Sequence, residues 1–229
     1  MTAQNPWHPE IAEIEGQFVV ASNATLLART NDGVQVVYKP SAGERPLWDF
    51  APESLAIREV LAYEVSAALG FDLVPETVLG EGPYGTGSIQ RFVDHDDAFD
   101  PVPLVQAASP RLWPMAVFDV VVNNADRKLG HILHNERRLI GIDHGLTFHP
   151  HDKLRTVLWV FAGSPLPAEM DPALDRLLTA ERDGLGDRIE RTLGSESREA
   201  MVLRLTALIE SRRHPEPPED RPPLPWPLY

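Results

Sequence analysis

Two aspartates of this sequence, Asp126 and Asp143, are the residues best placed to do chemistry together. Asp126 lies in a polar loop after an apolar helix, and Asp143 follows an apolar strand and precedes a glycine-containing turn. A short predicted hairpin separates them, so both carboxylates can meet in one cleft. Such a pair suits phosphoryl transfer, in which one carboxylate orients a hydroxyl nucleophile and another holds a metal ion on the phosphate oxygens.

The positions of the two aspartates favour one assignment of roles. Asp126 fits the orientation of the nucleophile, Asp143 fits the metal ligand, and Lys128 is near enough to reach the transferred phosphoryl group. Each aspartate by itself would be explained as a capping or turn residue. Their joint occurrence around one hairpin is what favours catalysis.

A predicted sheet and one helix precede these loops. A helix is predicted over residues 52–69, with Pro52 in its first turn and Gly70 as its C-terminal cap. Together with the strands it forms a mixed lobe of five strands and one helix. The strands are predicted at 17–21, 25–29, 34–39, 73–79 and 87–93.

The remainder of the chain is predicted to be mainly helical. The fold class is therefore α+β, a strand-rich first lobe over 1–95 and a helical second lobe over 96–213. Residues 214–229 contain seven prolines and predict an extended tail. In the second lobe, helices are predicted at 111–122, 172–193 and 196–212, and a hairpin at 131–135 and 139–142.

The composition excludes several classes of function. Lys and Arg total 21 against 34 Asp and Glu, a formal net charge of −13, which disfavours nucleic acid and anionic membranes as partners. The chain has no cysteine, which excludes disulfides and thiol nucleophiles. No secretory signal pattern or membrane-spanning apolar stretch is evident in the sequence. We expect a cytoplasmic protein without integral membrane association, and its oligomeric state stays open.

Two short motifs around the aspartates resemble those of the kinase superfamily. The first looks like a catalytic-loop pair and the second like the Asp-Phe-Gly metal motif. The closest resemblance is to the atypical branch with the phosphatidylinositol 3- and 4-kinases and the HipA-like kinases, and within it to an actinobacterial phosphatidylinositol-kinase-related group, over residues 16–163. The motifs are Asp126-Arg127 and Ile142-Asp143-His144-Gly145.

The resemblance implies ATP as a cofactor, together with Mg²⁺ or, as the alternative, Mn²⁺. It assigns Arg127 to the catalytic loop beside Asp126. It also implies that Lys39, at the end of a strand, binds the α- and β-phosphates while paired with Glu59 of the following helix. Glu64, on a neighbouring stripe of that helix, is the competing partner for Lys39.

Further nucleotide contacts follow from the same resemblance. The loop containing Ser22 and Asn23 is placed to cover the phosphates through backbone N–H groups. Backbone groups of Gln90, Phe92 and Val93 are the candidates for the adenine edge. Each of these signals would also fit an ordinary turn or a buried strand.

Two residues depart from the family pattern. His131 stands where kinases commonly have a metal-binding Asn, so it either binds a softer ion or only hydrogen-bonds. His144 replaces the usual Phe of the metal motif. The histidines also raise the alternative of a zinc hydrolase, but His131 and His134 face opposite sides of a predicted strand and are poorly arranged to share an ion.

The resulting hypothesis is an ATP-dependent phosphotransferase that acts on a hydroxyl acceptor, either a small polyol such as an inositol or a protein. Asp119, within an apolar run, is expected to brace the catalytic loop, and Lys153 and Arg155 are candidates to contact an anionic acceptor. The alternatives are a nucleotide-binding regulatory pseudokinase, suggested by His131 and by the missing glycine-rich loop, and a nucleotidyltransferase on the same fold.

Overall fold

A five-stranded antiparallel sheet forms the first part of the fold, in the order β1-β2-β3-β5-β4. The computed structural model describes residues 7–18, 23–135 and 138–229. The strands are β1 (Ile11–Gln17), β2 (Leu26–Thr30), β3 (Gln35–Pro40), β4 (Thr77–Gly82) and β5 (Gly85–Arg91).

The first strand is the one that the sequence predicted least well. β1 begins well before the predicted start at residue 17, and residues 19–21 of that prediction lie outside the described part of the chain. Its register against β2 shifts between Ile11 and Glu13 and again between Ile14 and Gly16. Such irregularities break the alternation of apolar and polar residues by which strands are recognised.

Alternation along β3 directs its side chains to opposite faces of the sheet. Val36 and Tyr38 are fully buried in a cluster with residues of β2 and with Ile89 of β5. Because successive side chains of a strand point to opposite sides, Lys39 faces away from this cluster. It points instead toward the helix that crosses the other face of the sheet.

That helix, α1 (Leu55–Leu69), begins three residues later than predicted and ends at Gly70. Gly70 has φ +73°, a left-handed conformation that glycine adopts without strain and that commonly ends a helix. α1 contacts β4 and β5 and also the helices of the second lobe. A residue on α1 can therefore join the two lobes.

The second lobe is built from five helices and a short hairpin within the described residues. The single helix predicted over 172–193 is wrong, because residues 181–185 form a wide turn in which Gly184 has φ +123°. The helices are α2 (Val102–Gln106), α3 (Trp113–Val122), α4 (Asp171–Ala180), α5 (Gly186–Leu193) and α6 (Ser195–Ser211), and the hairpin strands are β6 (Ile132–His134) and β7 (Leu139–Gly141).

Asn123 ends α3 and fixes the loop that follows the metal motif. It has φ +55°, which Asn tolerates better than most residues. Its side chain donates to the carbonyls of His149 and His151 and accepts from the Lys153 N–H. The end of α3 is thereby joined to residues 149–153.

Residues 214–229 contain neither helix nor strand, as their prolines predict. Within the described ranges, no helix is both long and apolar enough to span a bilayer. The lobe boundaries near residues 95 and 213 stay predictions.

Candidate active site

Lys39 lies between two carboxylates from different parts of the fold. Its Nζ is 2.5 Å from Glu59 Oε1, on α1, and 2.9 Å from Asp143 Oδ1, in the loop after β7. Burial opposes the charge on Lys39, but Asp143 and Glu59 together raise the pKa of Lys39 above its ordinary value. The competing partner Glu64 instead contacts Arg188 Nη2 at 2.9 Å.

Glu59 also fixes the backbone of the metal motif. Its Oε2 accepts a hydrogen bond of 2.9 Å from the His144 N–H, so one buried side chain joins β3 and α1 to that loop. Asp143 itself has φ +61°, an uncommon conformation for a residue other than glycine. Mainly because of the Lys39 charge, the pKa of Asp143 lies well below its ordinary value, and the carboxylate is ionised at neutral pH.

Asp126 and Lys128 lie in the loop after α3. The Asp126 N–H donates to Asn124 Oδ1 at 3.0 Å, and Lys128 Nζ lies 3.1 Å from Asp126 Oδ2. Burial raises the pKa of Asp126 to about 6, against the opposing effect of the Lys128 charge. A carboxylate with such a pKa accepts a proton more readily than an ordinary aspartate.

His131 lies between Asp126 and Asp143. Its Nδ1 is 2.9 Å from the Asp126 carbonyl oxygen, and its Nε2 is 3.3 Å from Asp143 Oδ2. A carbonyl only accepts, so Nδ1 carries the proton. Burial lowers the pKa of His131 to about 4, so the ring is neutral at pH 7 and Nε2 is unprotonated.

A lone pair on His131 Nε2 therefore faces a carboxylate oxygen of Asp143. Two acceptors at this separation repel each other, and a cation bound to both would relieve the repulsion. The residues thus fit a divalent metal that accepts nitrogen and oxygen ligands. Across residues 7–18, 23–135 and 138–229, no cluster of three or more His, Asp or Glu side chains is arranged to hold an ion by itself.

Arg127 was predicted as a catalytic residue, but the structure buries its side chain completely. Its Nε lies 3.1 and 3.0 Å from the two oxygens of Asp119, and its Nη2 lies 2.9 Å from Asp119 Oδ1. Nη1 donates to the carbonyls of His131 and Ile142. Arg127 therefore positions the loops around Asp126 and Asp143 and does not reach the cleft.

Asp119 is also fully buried and accepts three sets of hydrogen bonds. Besides Arg127, Asn124 Nδ2 donates to it at 2.9 Å and Thr156 Oγ1 at 3.2 Å. These contacts agree with the bracing role expected for Asp119.

The position of His144 is explained by the same network, because its Nε2 accepts from Arg127 Nη2 at 2.7 Å and its ring packs edge-on against Phe118.

The predicted residues converge on one cleft of about 390 Å³. Its lining contains eight of them, whereas Arg127, His131 and the three adenine candidates do not line it. The eight are Asn23, Lys39, Glu59, Asp126, Lys128, Asp143, Lys153 and Arg155. Ser22, the other predicted phosphate-loop residue, lies outside the described residues.

The adenine candidates are engaged with the protein itself. Gln90 is paired within the sheet with Val37 of β3 and Thr77 of β4, and the Phe92 N–H donates to the Gln35 carbonyl at 3.0 Å. The Val93 carbonyl lies 3.0 Å from His95 Nδ1. Their role at the adenine edge stays a prediction, and it would require some of these partners to be exchanged.

Two tryptophans of the cleft were not predicted as site residues. Trp48 and Trp226 both line it, and they are 91% and 89% exposed. The sequence carries one signal for them, because each lies in a proline-containing polar segment without helical or strand periodicity. Such segments seldom carry a tryptophan for packing reasons, because they bury little.

Solved structures of kinases share this fold. The proinflammatory kinase CtkA of Helicobacter pylori superposes with a TM-score of 0.57 and 14% identity, over 89% of this chain and 93% of that one. The Golgi casein kinase with Mn/ADP bound gives 0.59 and 12%, over 89% and 72%. Hydra Fam20 with sugar gives 0.55 and 15%, over 89% and 84%.

The chain therefore has a protein-kinase-like fold, with the strand-rich and helical lobes that the sequence predicted. It is 36% identical over 272 aligned positions to Protein Rv2133c of Mycobacterium tuberculosis, a match that covers 100% of this chain and 98% of that protein. The chain belongs to the family of Rv2133c.

A weaker match supports the resemblance to phosphatidylinositol kinases. Phosphatidylinositol 4-kinase gamma 4 of Oryza sativa subsp. japonica is 30% identical over 132 residues, which cover 46% of this chain and 22% of the rice protein. No family model matches the chain. The resemblance to the HipA-like branch stays a prediction.

Proposed function

We propose that this protein is an ATP-dependent phosphotransferase that acts on a hydroxyl acceptor. The observation that carries the proposal is the position of Lys39 between Glu59 and Asp143, in a cleft that also contains Asp126. In kinases a lysine paired with a helix glutamate holds the α- and β-phosphates, and a nearby aspartate holds the metal. The kinase-like fold supports the same assignment.

Asp143 and His131 are the residues that would hold a divalent metal. When bound there, the ion would supply positive charge that neutralises the phosphate oxygens of the nucleotide. The imidazole nitrogen favours Mn²⁺ over Mg²⁺, because Mg²⁺ prefers oxygen ligands. The Golgi casein kinase, a structural neighbour, is known with Mn/ADP bound.

Asp126 would orient the acceptor hydroxyl and take its proton. The hydroxyl oxygen then forms a bond to the γ-phosphorus, the bond from that phosphorus to the β,γ-bridging oxygen breaks, and ADP leaves with the electron pair. Lys128, paired with Asp126, would stabilise the charge on the transferred group. The raised pKa of Asp126 matches the task of a proton acceptor.

We infer a small acceptor, because the net charge of −13 disfavours both anionic membranes and acidic proteins as partners. The structure of one structural neighbour, hydra Fam20, is known with sugar. A cyclic polyol or sugar is therefore the acceptor class to test first. A protein hydroxyl, which the name of the Golgi casein kinase would suggest, is the comparison substrate.

The experiment that tests the proposal measures phosphoryl transfer from γ-labelled ATP, with Mg²⁺ and with Mn²⁺, to a panel of sugars, cyclitols and casein. We expect labelled product and ADP with the wild type, none with Asp143→Asn, and unchanged activity with the control Asp171→Asn, an exposed acid of α4. Release of AMP and pyrophosphate would instead indicate nucleotidyl transfer. Nucleotide binding without any turnover would refute the proposal and favour a regulatory pseudokinase.

A further inference from the structure

The C-terminal segment 222–229 is attached to the loop that contains Asp126 and to the segment that follows the metal motif. The Pro223 carbonyl accepts from the Thr156 N–H at 3.2 Å and from Trp159 Nε1 at 2.8 Å. The Leu228 carbonyl accepts from the Leu129 N–H at 2.8 Å. Thr156 and Leu129 directly follow Arg155 and Lys128, two residues that line the cleft, so the segment bridges one edge of the cleft.

Trp226 lies between these two attachment points and lines the cleft with its indole in solvent. Pro225, its neighbour, is buried, so the backbone at this position is held while the ring is not covered. Trp48, from the segment before α1, presents a second exposed indole to the same cleft. Exposed large aromatic side chains gathered in a cleft are typical of a binding site.

The charged residues of the cleft indicate which charged group a ring-shaped ligand should carry. Lys153 is already paired with Asp49 at 3.0 Å, and Lys128 with Asp126. Arg155, in contrast, has no side-chain partner within the described residues, and its buried Nε lacks a hydrogen bond there. A free guanidinium in the same cleft as Asp126 suits a phosphate or carboxylate.

We propose that the C-terminal segment completes the acceptor site, with Trp226 as a stacking surface for the acceptor ring and Arg155 as the partner of an anionic group on that ring. The acceptor class is a cyclic polyol that carries a phosphate or a carboxylate, such as a sugar phosphate or a cyclitol phosphate. The indole face contacts the C–H face of the ring, and the acceptor keeps a free hydroxyl toward Asp126. This inference rests on the proposed phosphotransferase activity and specifies its substrate.

Calorimetric titration of the full chain tests the acceptor site separately from catalysis. The probes are glucose 6-phosphate, myo-inositol 1-phosphate, glucuronate and their uncharged parents glucose and myo-inositol, with a nonhydrolysable ATP analogue titrated in parallel. We expect at least one anionic probe to bind about tenfold or more tightly than its parent, a difference typical of a charge-assisted pair. If no anionic probe binds, the inference is wrong.

Three variants test which side chains contact the probes. Trp226→Ala should lower the affinity for the anionic probe about tenfold, whereas Trp226→Phe should retain most of that affinity. Arg155→Gln should remove the preference for the anionic probe over its uncharged parent. The control Tyr84→Ala removes an aromatic ring that is exposed on the turn between β4 and β5, outside the cleft, and should change nothing.

Binding of the ATP analogue separates this inference from the proposed function. We expect its affinity to be unchanged by Trp226→Ala, and an equal loss of analogue and probe affinity would place Trp226 at the nucleotide and overturn the inference. Failure of the analogue to bind the wild type would refute the phosphotransferase. Binding of the polyol probes would then still report whether Trp226 and Arg155 form their site.

Discussion

Replacing Asp119 by Ala should destabilise the protein more than any change at its surface charges. The mutation leaves the Arg127 guanidinium fully buried without its carboxylate, and it also removes the acceptor for Asn124 and Thr156. Breaking a buried ion pair in this way typically costs about 3–5 kcal/mol. For a domain of 229 residues, in which 1 kcal/mol corresponds to about 2–4 °C, the melting temperature should fall by roughly 6–20 °C.

Urea denaturation of Asp119→Ala and of Asp171→Ala provides the matched comparison. Asp171 pairs with Arg212 at 2.7 Å, but both side chains are substantially exposed, and such pairs contribute about 0–1 kcal/mol. The dependence of unfolding free energy on urea concentration should be similar in the two variants, so the midpoints can be compared directly. If Asp119→Ala loses no more stability than Asp171→Ala, the Arg127–Asp119 pair does not hold the catalytic loops as we describe.

Three further predictions concern the nucleotide, the proton acceptor and acid stability. Glu59→Gln should weaken ATP-analogue binding about tenfold, whereas Glu64→Gln, whose carboxylate lies away from Lys39, should change it less than about twofold. Because burial raises the pKa of Asp126 to about 6, phosphoryl transfer should decline as the pH falls through about 6, as measured in a pH–rate profile. Burial lowers the pKa of His214, so its unfolded state binds the proton more readily, and wild-type stability should fall below about pH 6.5 more steeply than that of His214→Gln.

Local patterns were sufficient to predict the elements that carry the candidate site. Lys39 ends an alternating strand, and Glu59 lies on the buried face of a capped helix, so their contact follows from the ordinary packing of a helix on a sheet. Asp143 follows the second strand of a hairpin whose pairing could be read from its apolar residues. The strand, the helix and the hairpin are each predicted from a few neighbouring residues, whereas the choice of Glu59 as the partner of Lys39 came from the family resemblance.

The remaining features depend on contacts between residues far apart in the sequence. The C-terminal segment contacts Thr156 and Leu129 through the backbone carbonyls of Pro223 and Leu228. Every residue has a backbone carbonyl, so the residue types do not reveal such contacts. Arg127 was assigned to chemistry because it neighbours Asp126, but its burial depends on Asp119 in α3. The wide turn at Gly184 interrupts a helical pattern that is continuous in the sequence.

The charges in the cleft explain why metal and nucleotide should bind together. The cleft lining carries five acidic and five basic side chains, but around the metal motif three carboxylates, Glu59, Asp126 and Asp143, face only two lysines, Lys39 and Lys128, so this end of the cleft has an excess of negative charge. The whole chain adds to it with a net charge of −13. A free polyphosphate would be repelled, whereas a divalent ion at Asp143 and His131 reverses the sign of the site. Affinity for the ATP analogue should therefore depend strongly on the divalent metal, and equal affinity with and without it would contradict the assignment of Asp143.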